Sequence, residues 1–337
     1  MGIRWSRRAS LTVATLGWMN QGNDETPDPA YSALVTGCAL ADEPQREWLT
    51  VSGEDRLRFV NGLVTCDVRE LQAGDGVYGF FVSSQGRILA DVVITATAQS
   101  LQLDLPPERV QSIADHMLRY KVADRVNVDP AEQYSRIVVA GSESTALLEQ
   151  VLHQSIGESV WGCQQAGGLW LHQERRLGVA ATRALGAEKN VAALAEKLEA
   201  AGALRVGPDV VSIVRIERGV PWFGVDFGDE SFPQETGLAS QTVSYTKGCY
   251  LGQEIVARIH YRGHVNRRVC GLLGAKSVLE PGSEVLFEGE RVGEVTSAAL
   301  SPSLGKPMAL AMVHRKAQEA VSLEDGTLLS LVDLPFV

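Results

Sequence analysis

The chain is short of the residues that build covalent or metal frameworks. It has five cysteines, Cys38, Cys66, Cys163, Cys249 and Cys270, and no C-x-x-C pair among them. Odd in number and widely spaced, they exclude a disulfide scaffold and a cysteine-built zinc cage, and they fit a reducing compartment. No apolar run approaches the roughly eighteen residues of a membrane-spanning helix, so no membrane association is expected. The patterns G-x-x-x-x-G-K-[ST], G-x-G-x-x-G and H-E-x-x-H are absent, which removes the common phosphate-loop, dinucleotide and zinc-protease readings. Cations are the minority charge: 31 Lys and Arg face 41 Asp and Glu, for a net charge of −10. Such a balance argues against general coating of nucleic acid and leaves room for one local basic site.

What is present is the composition of a globular protein, with 45% hydrophobic and 21% charged residues in 337, enough for two or three domains. Arg4, Arg7 and Arg8 precede an apolar stretch from Ala9 to Met19, which has the look of a targeting leader. Thr12, Thr15 and Gly17 interrupt it and no clear A-x-A site follows. An untargeted extension, or an upstream start with Met19 as the true beginning, is the preferred reading. Residues 20–32 read as a loosely held lead-in, within an N-terminal extension over 1–45.

From about residue 46 strands and helices alternate. Gly76–Val82 and Ile88–Thr97 read as strands joined by the turn Ser83-Ser84-Gln85-Gly86. Val110, Ile113, Ala114, Met117 and Leu118 mark an amphipathic helix over 108–120. Ile137–Ala140 is a short strand, Leu147 to Leu152 a helix, and Val191 to Leu198 another, capped by Gly202. Pro208 suits the first position of a helix that runs to Gly219. Beyond about residue 268 the texture changes. Short apolar runs at Val269–Leu273, Glu284–Phe287, Arg291–Ala298, Met308–Val313 and Leu328–Val332 are separated by turn dipeptides, the pattern of a small antiparallel barrel. The expected domains are therefore 46–267 and 268–337.

One segment stands apart in charge. Residues 247–268 carry Lys247, Arg258, Arg262, Arg267 and Arg268 against Glu254 alone, inside an acidic chain. A local reversal of sign marks a place to hold an anion. Gly248 precedes Cys249, and Ile255 and Ile259 repeat as one helix face, so Cys249 is expected near a helix start. Free N–H groups there and the Lys247 cation both favour thiolate, which makes Cys249 the candidate reactive cysteine. The alternative is a buried cysteine that packs as a small apolar residue. His260 and His264 share a four-residue spacing, but Gly263 falls between them and no third ligand stands out, so no metal site is expected.

Lys247–Glu254, KGCYLGQE, resembles the signature of the YgfZ family, folate-binding proteins related to the T-protein (aminomethyltransferase) of the glycine cleavage system. Arg58–Asp67, Gln85–Asp91, Arg215–Pro221 with Gly224 and Asp226, and Pro233, Glu235 and Gly237 match the same family in the same order. The resemblance implies an α+β fold: a cloverleaf of α/β subdomains around a central folate channel, closed by a C-terminal antiparallel β-barrel. It implies tetrahydrofolate or another reduced folate as cofactor. It implies a role in iron–sulfur cluster assembly or repair, with assembly proteins or client enzymes as partners. The compartment would be the cytoplasm in a bacterium or the mitochondrial matrix in a eukaryote, and a monomer is expected. Two departures set it apart from the T-protein. Ala90-Asp91 stands where the T-protein has two adjacent acids, and Arg176–Arg183 does not reproduce its pterin-gripping stretch. A tetrahydrofolate-dependent aminomethyltransferase is therefore the second reading, and a tRNA-modification factor using 258–268 the third.

A reduced folate needs a flat slot, a carboxylate at the pterin edge and cations near its anionic tail. Asp91 and Glu217 are the candidate carboxylates, Trp222 a candidate wall, and Arg258 and Arg262 candidates for the tail. Lys247, Tyr250, Gln253 and Glu254 of the octapeptide complete the set. The structural alternatives are a salt bridge of Glu217 with Arg215 or Arg218, a hairpin-edge hydrogen bond for Asp91, and a core position for Trp222.

Overall fold

The computed structural model describes residues 28–41, 45–130, 134–157, 159–274 and 279–337. The expectations for residues 1–27 lie outside these.

The chain enters through a short helix, α1 (Pro29–Val35), whose first turn is capped by the Asp28 carboxylate accepting from the Ala30 N–H at 2.8 Å. Strand β1 (Ala39–Ala41) follows. The lead-in expected over 20–32 is therefore a capped helix from Pro29 onward. Buried Tyr31, Ala33 and Leu34 tie it to the core, which composition alone did not reveal.

Next comes a five-stranded sheet made of β2 (Glu47–Ser52), β3 (Gly76–Val82), β4 (Ile88–Ala96), β5 (Ser100–Leu105) and β6 (Asn127–Pro130), in the order β3-β4-β5-β2-β6. Helices α2 (Arg56–Asn61) and α3 (Pro107–Tyr120) cover one face. Ile113 and Met117 of α3 are buried against Leu49, Val51 and Leu103, as a 3.6-residue apolar period requires. The β3–β4 hairpin turns through Gly86 at φ +74°.

A second sheet contains β7 (Ser135–Ala140), β8 (Cys163–Ala166), β9 (Leu169–Glu174), β10 (Ala181–Gly186) and β11 (Leu204–Val206). It takes in β1, in the order β11-β1-β7-β10-β9-β8. Helices α4 (Ser144–Leu152) and α5 (Glu188–Ala200) pack on it. Helix α6 (Pro208–Glu217) starts with Pro208 in its first turn and is buried along its length from Val210. After it come α7 (Ala239–Thr242) and α8 (Gln253–Arg262). The barrel closes the molecule: β12 (Arg267–Gly274), β13 (Glu284–Phe287), β14 (Glu290–Ser301), β15 (Lys306–His314), β16 (Ala320–Ser322) and β17 (Leu328–Val332). All its pairs are antiparallel, and the closed order is β12-β15-β14-β13-β16-β17.

Candidate functional site

The loop 243–252 holds the only exposed cysteine of the five. Burial pushes the Cys66 thiol up to about 12 and those of Cys38, Cys163 and Cys270 to about 11, so these four are protonated and covered. Cys249 does not sit at the helix start expected for it. The left-handed Gly252, at φ +79°, caps α8, which begins at Gln253, four residues beyond the thiol. Gly252 is demanded by contact as well as by conformation: a Cβ there would lie 2.3 Å from the Ser83 carbonyl oxygen.

Lys247 is not beside the thiol as a free cation. It is 5% exposed, and its ammonium donates to the carbonyl oxygens of Asn61 at 2.7 Å, Val64 at 2.8 Å and Cys66 at 2.6 Å. Tyr250 is buried too, with the ammonium 5.0 Å from its ring centroid. Gly248 and Cys249, exposed between these two anchors, are thrust outward by them. Backbone bonds from Ser244 to Thr65 and from Leu251 to Gly62 lace the same loop to the turn after α2.

Tyr250 reaches inward to an aromatic junction. Tyr78 and Phe80 of β3, Trp161, Phe227 and Tyr250 form one buried cluster, with Phe223 and Met312 of β15 partly buried against it. Tyr78 and Trp161 stand 4.9 Å apart by ring centroids, and Phe227 meets Phe80 edge-on at 5.9 Å. Both α/β sheets' neighbourhoods, the KGCY loop and the barrel thus converge here. Asp91 lies at one edge: its Oδ2 accepts from the Tyr78 hydroxyl at 3.0 Å and its Oδ1 from Arg46 at 2.7 Å. The hairpin hydrogen bond considered for Asp91 is made, to Tyr78 of β3, and a buried ion pair with Arg46 joins it.

Arg46 leads into a network that the sequence reading missed. Asp104 accepts from Arg46 at 3.0 Å, Arg176 at 3.1 Å and Arg183 at 2.5 Å; Glu174 accepts from Arg176 at 2.5 Å and Arg183 at 2.8 Å. All are buried. Burial opposes both carboxylate charges, but the guanidinium groups outweigh it, holding Asp104 well below the usual range and Glu174 down at about 2. Burial, helped by Arg183, pushes neighbouring His172 down to about 3, so it is neutral. The signal was there in sequence: Asp104 and Arg183 are the sole charges in β5 and β10.

The other candidates scatter. Among the described residues Glu217 makes no salt bridge, and it lies outside the junction. Fully buried, it accepts from the hydroxyls of Tyr31 at 2.7 Å, Ser303 at 2.8 Å and Ser301, and so fastens α6 to α1 and the barrel. Trp222 is a core residue whose indole N–H donates to the Arg176 carbonyl at 2.8 Å, with the Arg215 guanidinium 4.3 Å over its ring. The basic segment is largely neutralised. Arg258 pairs with Glu254 at 2.8 Å on exposed α8, Arg267 with Glu235 and Arg268 with Asp333. Arg262 ends α8, exposed, and Gln253 is half-buried at its start. His264 lies beyond the helix end, off the face of His260.

Residues 23–162 match the GCVT N-terminal domain, and residues 267–329 match the glycine cleavage T-protein C-terminal barrel domain. The chain carries GCVT-like N-terminal and C-terminal barrel domains. The crystal structure of the glycine cleavage system aminomethyltransferase T from Bartonella henselae has the same fold, with a TM-score of 0.81 at 21% identity over 91% of this chain and 88% of that one. A chloroplastic protein of Arabidopsis thaliana, a transferase by name, is 28% identical over 81% of this chain. This chain spans 64% of that relative's length. The tRNA-modifying protein YgfZ of Colwellia psychrerythraea is 25% identical over 68% of this chain and 69% of its own. An aminomethyltransferase of a Nostoc species is 26% identical over 85% and 79%. The GCVT-like barrel supplies Met312 to the aromatic junction, and the GCVT-like N-terminal domain supplies Asp91, Tyr78 and Phe80. Among the described residues no helix is long and apolar enough to cross a membrane.

Proposed function

We propose that this chain is a folate-binding maturation factor that works through the Cys249 thiol, serving iron–sulfur cluster assembly or repair, rather than a turnover transferase. The observation that carries the reading is the presentation of Cys249: one exposed thiol of five, held between two buried anchors, on the loop that closes over the aromatic junction. The residues of that junction suit a reduced folate. Tyr78, Trp161, Phe223 and Phe227 gather, packed in one cluster, the flat apolar rings on which a pterin would stack, and Asp91 is the one candidate carboxylate at the cluster's edge. Tyr250 joins the cofactor region to the thiol loop. A bound folate would supply one-carbon chemistry, while the chain's own residues position the ring and exclude water.

Two features weigh against the transferase reading. Position 90 holds an alanine packed in the apolar core under α3, so no second acid is available there. Asp91, the one acid at this place, is tied into the buried network by Arg46 and Tyr78 rather than paired with a second carboxylate. A single thiol does not hold a stable cluster, which generally takes about four ligands, so any cluster or sulfur species would be shared with a partner. The test is complementation of a deletion strain. Cys249→Ala is expected to lower the activity of iron–sulfur enzymes as far as deletion does while the purified protein keeps its fold and its folate affinity. Full complementation by Cys249→Ala overturns the reading, and release of ammonia from a loaded lipoyl carrier in the presence of tetrahydrofolate favours the transferase.

A further inference from the structure

We infer that Lys247 is the positioning residue for the Cys249 thiol, acting as a protonation-dependent clamp that holds the loop against the turn after α2. The inference rests on the reading of Cys249 as the working group. Its basis is geometric. An ammonium has three N–H bonds, and here each has its own acceptor at 2.6–2.8 Å: the carbonyl oxygens of Asn61, Val64 and Cys66. Those carbonyls lie more than 180 residues away in sequence, so one side chain joins two distant turns just two residues from the thiol. A neutral amine has only two N–H bonds. Losing the proton abandons one carbonyl and removes the charge assistance from the other two.

Of the groups facing one another here, Lys247 is the one brought into the mildly alkaline range. Burial drives its ammonium down from the ordinary 10.5 to about 8. Cys66, behind it, is pushed up to about 12 by burial. The Tyr250 phenol is pushed up by burial, beyond reach. Asp67 is bound to Arg69 at 2.6 Å, which lowers the carboxyl and raises the guanidinium. As pH rises past about 8 the clamp therefore opens through Lys247, and the loop around Cys249 loosens with it.

The experiment is electron paramagnetic resonance with a methanethiosulfonate nitroxide on Cys249 of the full chain; the four buried cysteines stay unlabelled under native conditions. The wild-type label is expected to be strongly immobilised at pH 7 and to gain a mobile component through about pH 8, reversibly, with circular dichroism unchanged. Lys247→Met is expected to give the mobile spectrum at every pH, with a several-fold shorter rotational correlation time. An immobilised, pH-independent wild-type spectrum overturns the inference, and so does an immobilised Lys247→Met. Should Lys247→Met fail to fold, the wild-type titration decides alone. Neither measurement involves folate or iron–sulfur clients, so its failure is distinct from failure of the functional reading.

Discussion

Two side chains that looked alike as candidates behave oppositely. Cys249 contributes almost nothing to packing: its thiol is exposed and its loop is fixed by neighbours. Cys249→Ala should therefore shift the urea midpoint by less than about 0.5 kcal/mol equivalent. In the native wild type, iodoacetamide should modify Cys249 alone at neutral pH, read by peptide mass spectrometry. Labelling spread over all five cysteines would contradict the burial of the other four. Glu217 is a fastener. Removing its carboxylate strands the hydroxyls of Tyr31 and Ser301 in a buried setting. Glu217→Ala is expected to cost about 2–4 kcal/mol in urea unfolding, with tetrahydrofolate affinity unchanged in calorimetry. Weakened binding without loss of stability would return Glu217 to the ligand site.

At the scale of elements, the two sheets meet through buried charge as well as through aromatic contact. Glu174, held at about 2 in the fold, regains an ordinary 4.5 when unfolded, so its stabilisation is complete above about 4.5 and fades as pH falls towards 2. His172 binds its proton near 3 in the fold and near 6.5 when unfolded. The unfolded chain therefore takes up more protons in between, and stability again falls with pH. The two act in the same direction. Stability from denaturant titrations is expected to drop by about 3 kcal/mol or more between pH 6.5 and 3, and His172→Phe should remove the upper part of that slope. A flat profile would mean that the network does not support the sheet contact. The β3–β4 turn and the cap of α8 are coupled by contact, so Gly252→Ala should destabilise by more than the about 1 kcal/mol of an unfavourable backbone alone, and should raise the mobility of a label on Cys249.

For the whole molecule, α6 is the hinge-pin between the α/β body and the barrel. Arg215, fully buried, pairs with Asp226 at 2.7 Å and donates to Ser297 of the barrel at 2.6 Å; Glu217 meets Ser301 and Ser303 two residues on. One cooperative unfolding transition is expected in calorimetry, and Arg215→Met should split it, because it leaves Asp226 buried without its cation. Tetrahydrofolate at millimolar concentration should raise the melting temperature of the wild type, as a ligand selective for the native state does. The Arg258→Ala, Arg262→Ala double variant should respond equally to monoglutamyl folate, since both side chains lie on the exposed face of α8. No shift with any reduced folate would remove the cofactor from the proposal.

The sequence by itself determined the elements whose signals are local. Strands β3, β13 and β17, helices α3 and α6 and the run of barrel strands follow from apolar period, Pro at a helix start and turn dipeptides, all of which act over a few residues. It also singled out Cys249 and carried the octapeptide that pointed to the T-protein architecture. What it could not decide was where charges end up. Lys247, Asp91 and Glu217 read alike as polar residues available for a ligand, and the tertiary structure buries all three against partners 13 to 186 residues distant. Burial and ion pairing depend on which remote segments the fold brings within about 3 Å, and that distance is a property of the packed chain, not of any window along it.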